Sequence, residues 1–313
     1  MTDMGDTSPR RPLSIVVAVI DGGEGLRRTL AAVCAQMRTA DAEVIVPYDE
    51  WTKGTGELAR EFREMRFHFI SESCSGVASP REHRLYDRRR AVGLVLAEGA
   101  IVAMTDDRSV PAADWCQQIL VAHAQPAAVI GGAIDNGIDR PLHWAMYYCD
   151  FGRYGRPRAR GPAEYVSDVN VTYRREALDS IRDVWRDGYH ETTVHWALRP
   201  RGVFFDDRLV VYQHRPNMTL RQAWWERVMI AADFAATRVV AASGLRRVVL
   251  AALTPFLPPV LLTRIIRHMR RQRRPLPHLM QIAPIALVLL TGSAIGELIG
   301  YVGRGGKFWP RET

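Results

Sequence analysis

The sequence predicts an α/β chain: a doubly wound, mostly parallel sheet followed by apolar, arginine-studded helices at the C-terminal end. Three observations carry this. Short β-branched apolar runs alternate with helix-period segments, acidic residues fall at the carboxyl ends of those runs, and after about Leu220 the composition turns helical and apolar with basic punctuation. In such sheets ligands gather at the carboxyl ends of the strands.

Ser14 to Ile20 (SIVVAVI) is a continuous apolar run ended by Asp21-Gly22-Gly23, so it reads as a buried strand entering a loop. Leu26, Leu30 and Val33 recur at helical spacing and predict a helix to Met37. Glu43 to Val46 is a second strand, followed by a loop around Asp49 and a helix from Thr55 to Met65. Arg66 to Ile70 is a third strand, and after a polar loop an arginine-rich helix runs from Arg84 to Ala97. Gly99 ends that helix, and Ala100 to Met104 (AIVAM) delivers Asp106 and Asp107 at its carboxyl end. A helix from Ala112 to His123 and a strand from Ala128 to Ile134 complete the alternation. Asp135 to Val166, rich in aromatics, glycine and arginine, reads as a long irregular lid or binding loop. Val203 to Tyr212 returns to strand character.

With 313 residues and 47% hydrophobic content, the chain can bury a full-sized domain and an appendage. Its net charge of +8 comes almost wholly from arginine, Lys53 and Lys307 being the only lysines. Such a balance suits anionic lipid or a phosphorylated substrate; with no recognisable binding module, nucleic acid is not an expected partner. Cys34, Cys74, Cys116 and Cys149 are too scattered for a zinc site or disulfide framework. Met1 to Pro12 lacks an apolar core, so no signal peptide is expected there and the N-terminal domain is placed in the cytoplasm.

The chain has no P-loop, no G-x-S-x-G elbow and no H-E-x-x-H helix. It has instead an ordered set: the first strand and its loop, the acidic loop EVIVPYDEWTKGT, the arginine-rich helix, MTDDRSVPAADW, Ser167 to Arg175 (SDVNVTYRR), and His190-Glu191 with Leu198 and Gly202. Taken in that order, Pro12 to Arg215 resembles the family 2 glycosyltransferases, which are inverting enzymes of GT-A fold. The resemblance implies a nucleotide-sugar donor and a divalent metal, Mg²⁺ or Mn²⁺. It places Asp107 and His214 at the metal, and Asp106 toward the donor ribose or sugar. Asp21, Asp49 at the base, Arg90 at the diphosphate and Asn170 fall among the donor-binding positions. Glu191 takes the place of the general base, with Asp168 next in line.

The chemistry suits these residue types. A diphosphate leaving group needs cations beside it, and the acceptor hydroxyl needs one base to take its proton. As residues alone, Asp106 and Asp107 serve equally as strand-end acids capping the next helix, and Glu191 as a helix-dipole complement. A triple-arginine helix face is simply solvated or faces lipid headgroups, which fits Arg88 and Arg89, and Trp144, Tyr147, Tyr148 and Tyr154 either stack on sugar faces or form core. Arg108 stands where the family usually has a third acid or a histidine. Two other classes fit less well: a catalytically inactive GT-A-like membrane adaptor, favoured by Arg108, and a nucleotidyltransferase, which would use Asp21-Gly22-Gly23-Glu24-Gly25 as a phosphate loop.

Residues 1–225 are thus expected to form the transferase domain, and 226–313 a membrane-associating helical region. Leu279 to Gly303 is 25 residues with one acid, Glu297, and is long enough to span a bilayer. Val248 to Thr263 contains Pro255, Pro258 and Pro259 and reads as a re-entrant or interfacial element, with the basic run Arg264 to Arg274 against anionic headgroups. The expected partners are therefore a nucleotide-sugar donor, a lipid-linked or cell-envelope glycan acceptor, and the cell membrane with the catalytic domain on its cytoplasmic side.

Overall fold

The computed structural model describes residues 11–71, 83–239 and 242–303, with the side chains of 83 and 84 left out. Met1 to Arg10, Cys74, most of the polar loop before the arginine-rich helix and Lys307 lie outside the described residues. The contacts group the chain into two units: Met1–Gly137 with Arg156–His214, and Ile138–Gly155 with Arg215–Thr313.

The first unit opens with β1 (Leu13–Ala18), α1 (Gly23–Met37), β2 (Ala42–Tyr48), α2 (Thr55–Glu61) and β3 (Arg66–Phe69). It continues with α3 (His83–Leu96), β4 (Ile101–Asp106), β5 (Ser109–Pro111), α4 (Trp115–Ala122) and β6 (Val129–Asn136). Every side chain of β1 is buried, as an unbroken apolar run requires of a strand covered on both faces. The helices sit where periodicity predicted them. Their ends differ by a few residues, α1 beginning at Gly23 because Gly22, at φ 70°, makes the turn that starts it.

Then come α5 (Pro141–Asp150), which belongs to the second unit, and β7 (Gly161–Pro162), β8 (Val171–Arg174), α6 (Arg175–Asp179), α7 (Arg182–Trp185), α8 (Glu191–Leu198) and β9 (Val203–Gln213). The sheet order is β3-β2-β1-β4-β8-β6-β9-β5, with β7 paired to β9. β3, β2, β1 and β4 are parallel, as are β6 and β9, while β8 runs antiparallel between β4 and β6. The parallel half is the part that alternation predicted. β5 and β7 are too short to leave a periodic trace.

The second unit comprises α5 with α9 (Leu220–Arg238), α10 (Gly244–Leu253), α11 (Leu257–Arg271) and α12 (Leu276–Val302). The expected irregular loop 135–166 thus contains a regular helix. Pro141 occupies its first turn, where a missing N–H costs nothing, and Trp144, Tyr147 and Tyr148 repeat at helical spacing. These rings are buried with Ile265, Met269, Ile282, Ala286 and Leu289, so they form this unit's core and are not sugar platforms. The expected domain boundary at 225/226 falls inside α9, which lies wholly in this unit. Pro255, Pro258 and Pro259 do not break the chain's course, because they lie in a 3₁₀ turn and the first turn of α11. Gly244–Arg271 and Leu276–Val302 are each long and apolar enough to cross a membrane by length and composition.

Candidate functional site

The loop after β1, the end of β4 and the end of β9 meet at one edge of the first unit. Asp107 is buried there, and it faces inward: Oδ1 accepts from the Ile20 amide at 2.9 Å, and Oδ2 from the Asp21 and Gly22 amides at 2.9 and 2.6 Å. Burial, then the charges of Asp21 and Asp106, push its carboxyl up to about 7. Asp106 Oδ1 accepts from the Arg108 amide at 3.1 Å and the Ser109 hydroxyl at 2.6 Å, and burial raises its pKa as well. Arg108 donates through both Nε and Nη2 to Asp21, at 2.6 and 2.7 Å. His214, joined to Arg108 by a backbone hydrogen bond, has Nδ1 2.8 Å from Arg28 Nη1.

Asp107 and His214, expected as metal contacts, are therefore engaged otherwise. The Asp107 oxygens hold three backbone amides, His214 lies against a guanidinium, and Asp21 is paired to Arg108. Among the described residues no three His, Cys, Asp or Glu side chains come together as a metal site would need. A magnesium carried by a diphosphate is held through one or two carboxylates; of these donors only Asp21 is half-exposed, and it is paired to Arg108, so they do not fit that role as arranged.

Asp107→Ala is expected to lower stability by about 3 kcal/mol, because burying an amide without a partner costs roughly 1–3 kcal/mol and three amides lose theirs. Urea unfolding measures it; an unchanged midpoint would contradict the bracing role. The sign of the pH effect follows from the raised pKa. Below the ordinary carboxylate range the proton is bound in both states and the group's contribution is complete; it is lost as pH rises through about 7.

Asp49 sits at the end of β2 and is buried. Arg89 donates to both of its oxygens at 2.8 and 2.6 Å and to the Val19 carbonyl at 2.6 Å. Arg89, expected to be solvated, is thus among the most deeply buried large side chains, and Arg88 is the one on the surface, its guanidinium 3.3 Å from the Ser71 carbonyl. Arg90, expected at the diphosphate, is buried too. It meets Asp168 at 2.8 Å and Asp87 at 3.6 Å, and its Nε finds no partner among the described residues. Both arginines turn inward because Gly93, three and four residues on, lets α3 press against Val16 and Pro47 of the sheet.

Asn170 is fully buried and fully bonded. Its Oδ1 accepts from Trp115 Nε1, and its Nδ2 donates to the carbonyls of Ala133 and Leu209, all at 2.9 Å. It ties α4, β6 and β9 together over Gly132, whose missing Cβ leaves room for it. The arrangement makes it a brace for the sheet, both amide hydrogens and the carbonyl oxygen engaged inside the protein.

Glu191 opens α8, after the N-cap residue His190, whose Nδ1 lies 3.1 Å from Asp87. Beside it is a buried chain that sequence pattern did not single out: Tyr189 OH to Tyr173 OH at 2.5 Å, and Tyr173 OH to His195 Nε2 at 2.9 Å. The charges of Glu191 and Asp168 both act on the two tyrosines, while burial, only partly opposed by Asp168, lowers His195 to about 4. Thr105, one residue before Asp106, has a buried hydroxyl at the strand end with no partner among the described residues. The one local clue to this chain is spacing, Tyr189 and His195 flanking the acid of a short helix.

No curated protein sequence matches the chain. Solved structures that it resembles include Staphylococcus aureus TarS, residues 1–349 (15% identity, TM-score 0.48), where the likeness covers 69% of this chain and spans 64% of that one. The same protein in complex with UDP-GlcNAc matches over 74% of this chain and 68% of that one, with 13% identity and a TM-score of 0.50. The mannosyltransferase PcManGT from Pyrobaculum calidifontis, in complex with GDP-Man and Mn²⁺, matches over 93% and 88%, with 14% identity and a TM-score of 0.52. The last two of these likenesses agree with a GT-A fold. Residues 14–182, more than half of the chain and including every strand of the parallel half, match the glycosyl transferase family 2, and the chain belongs to that family.

Proposed function

We propose that the chain transfers a sugar, with inversion, from a nucleotide-diphospho-sugar to a lipid-linked or cell-envelope glycan acceptor, at the carboxyl ends of β1, β2 and β4. The observation that carries this reading is the charged edge there: Asp106 and the Arg108–Asp21 pair, beside the buried Asp49–Arg89 pair, within a family 2 domain. The nucleotide sugars held by TarS and PcManGT support the donor class.

In this reading the base of the nucleotide stacks near β2 and Asp49, and Asp106 meets the ribose or sugar. The acceptor hydroxyl attacks the anomeric carbon in line while Glu191 takes its proton, and the nucleoside diphosphate leaves with the bonding electrons. Arg108 exchanges the half-exposed Asp21 carboxylate for the diphosphate, a dianion that offers its guanidinium fork more charge. No step is assigned to a metal. Excess chelator is accordingly expected to change donor turnover less than about threefold, and Arg108→Ala to lower it by about 10²-fold, the scale of losing one stabiliser of developing charge. Loss of all turnover in chelator, restored by Mn²⁺, would return the diphosphate to a metal.

A nucleotidyltransferase fits the loop less well, because the Gly22 amide is taken by Asp107 and the Gly23 amide by the Lys53 carbonyl, leaving no phosphate cradle there. The inactive-adaptor reading draws on the closed Arg108–Asp21 pair. Calorimetric titration with nucleoside diphosphates and their sugars separates it: the transferase reading expects one site, weakened by Arg108→Ala, and no binding of any of them contradicts it.

A further inference from the structure

We propose that the second unit docks on an anionic phospholipid surface as an interfacial module, its helices lying in the headgroup layer without crossing the bilayer. This deepens the membrane part of the reading above but rests on the second unit alone, whatever the first unit catalyses.

The first observation is an exposed stripe along Gly244–Arg271. Leu245, Val248, Phe256 and Val260 are 77, 66, 65 and 62% exposed, while Thr254, Pro258, Ile265 and Met269 on the other side are buried. Further along α11 the exposed positions become Arg264, Arg267, Arg270 and Arg271. Apolar residues enter the acyl boundary and arginines remain with the phosphates, the division an interfacial helix needs.

The second observation is charge. Between Asp233 and Glu297 the sequence has no acidic residue and nine arginines. A neutral apolar partner would give the exposed Arg264, Arg267, Arg270 and Arg271 nothing to meet, whereas anionic headgroups pair with them.

The third observation concerns α12, the segment expected to span. One face carries Leu276, Met280 and Val302, all about two-thirds exposed. The opposite face packs on α9: Gly292, Gly296 and Gly300 approach the backbone at Trp224, Val228 and Ala232, so the two helices run parallel in close contact. α9 is charged. Arg227 pairs with Asp150 and bonds Ser293, and Arg238 pairs with Glu297. A spanning α12 would drag these ion pairs into hydrocarbon, where charged side chains are rare and expensive. Lying flat, it keeps α9 on the water side and offers only its exposed stripe to lipid.

The test uses the full chain with phosphatidylcholine vesicles, with and without one-third phosphatidylglycerol. Binding to the anionic vesicles is expected to be at least about tenfold tighter, and the R264Q/R267Q/R270Q/R271Q variant to lose roughly fivefold per arginine removed. The V248S/F256S/V260S variant, judged folded by circular dichroism, is expected to bind weakly even at low salt. In inverted membrane vesicles from cells making the doubly tagged chain, external protease is expected to remove both terminal tags. Equal binding to neutral and anionic vesicles, or a C-terminal tag protected while the N-terminal tag is cut, would overturn the proposal.

Discussion

Replacing Arg89 by leucine is expected to cost about 3–5 kcal/mol of stability, the scale of breaking a buried ion pair by removing one partner. Arg89 and Asp49 have side chains only 2 and 7% exposed, and the guanidinium holds the carboxylate bidentately while also donating to the Val19 carbonyl. Leucine fills part of the volume and supplies none of those donors, so a carboxylate and a carbonyl are left dry. The double variant Arg89→Leu with Asp49→Leu is expected to recover most of the loss, because two apolar side chains do not carry the desolvation cost. Denaturant unfolding of the two single variants and the double variant completes a cycle whose coupling term should exceed about 2 kcal/mol. If Arg89→Leu unfolds at the parental midpoint, the pair is not a structural tie and Arg89 is held for a ligand.

Glu191→Gln is expected to leave folding and donor binding unchanged and to lower sugar transfer by about 10²-fold or more. Glutamine keeps the shape at the start of α8 and cannot accept the acceptor's proton. A helix-dipole role predicts something else, a loss of roughly 0.3–1 kcal/mol of stability with turnover intact. The two readings are thus separated by which quantity moves. If transfer persists at the parental rate with donor bound normally, the base lies elsewhere, and Asp168, paired to Arg90 and acting on the same tyrosines, is the next residue to change.

The parallel half of the sheet was legible because an alternating pattern of apolar run and helical period is a local signal. The positions of the acids were legible for the same reason: Asp106 and Asp107 follow a run that has to be a strand. Which way each side chain turns was not. Asp107 and Asn170 stand at positions the family pattern marks, and both spend every hydrogen-bonding atom on backbone or ring partners far away in sequence. Arg89 and Arg90 sit in a run of three arginines, and only the close approach of Gly93 to the sheet decides that these two face inward. The helix in 135–166 was hidden by the glycines and arginines that follow it, although Pro141 and the aromatic spacing marked its first turn and its buried side. α12 shows the converse: hydropathy alone marks a span, and the glycines that settle its buried face are informative only once α9 is in view.

Sugar transfer is measured most directly as the release of nucleoside diphosphate from a panel of uridine, guanosine and thymidine diphospho-sugars by the full chain, assayed on anionic vesicles with a membrane extract as acceptor source. One donor is expected to turn over, slowed by about 10²-fold in both Glu191→Gln and Arg108→Ala. Release from none of the donors, with the protein folded and bound to the vesicles, would contradict it.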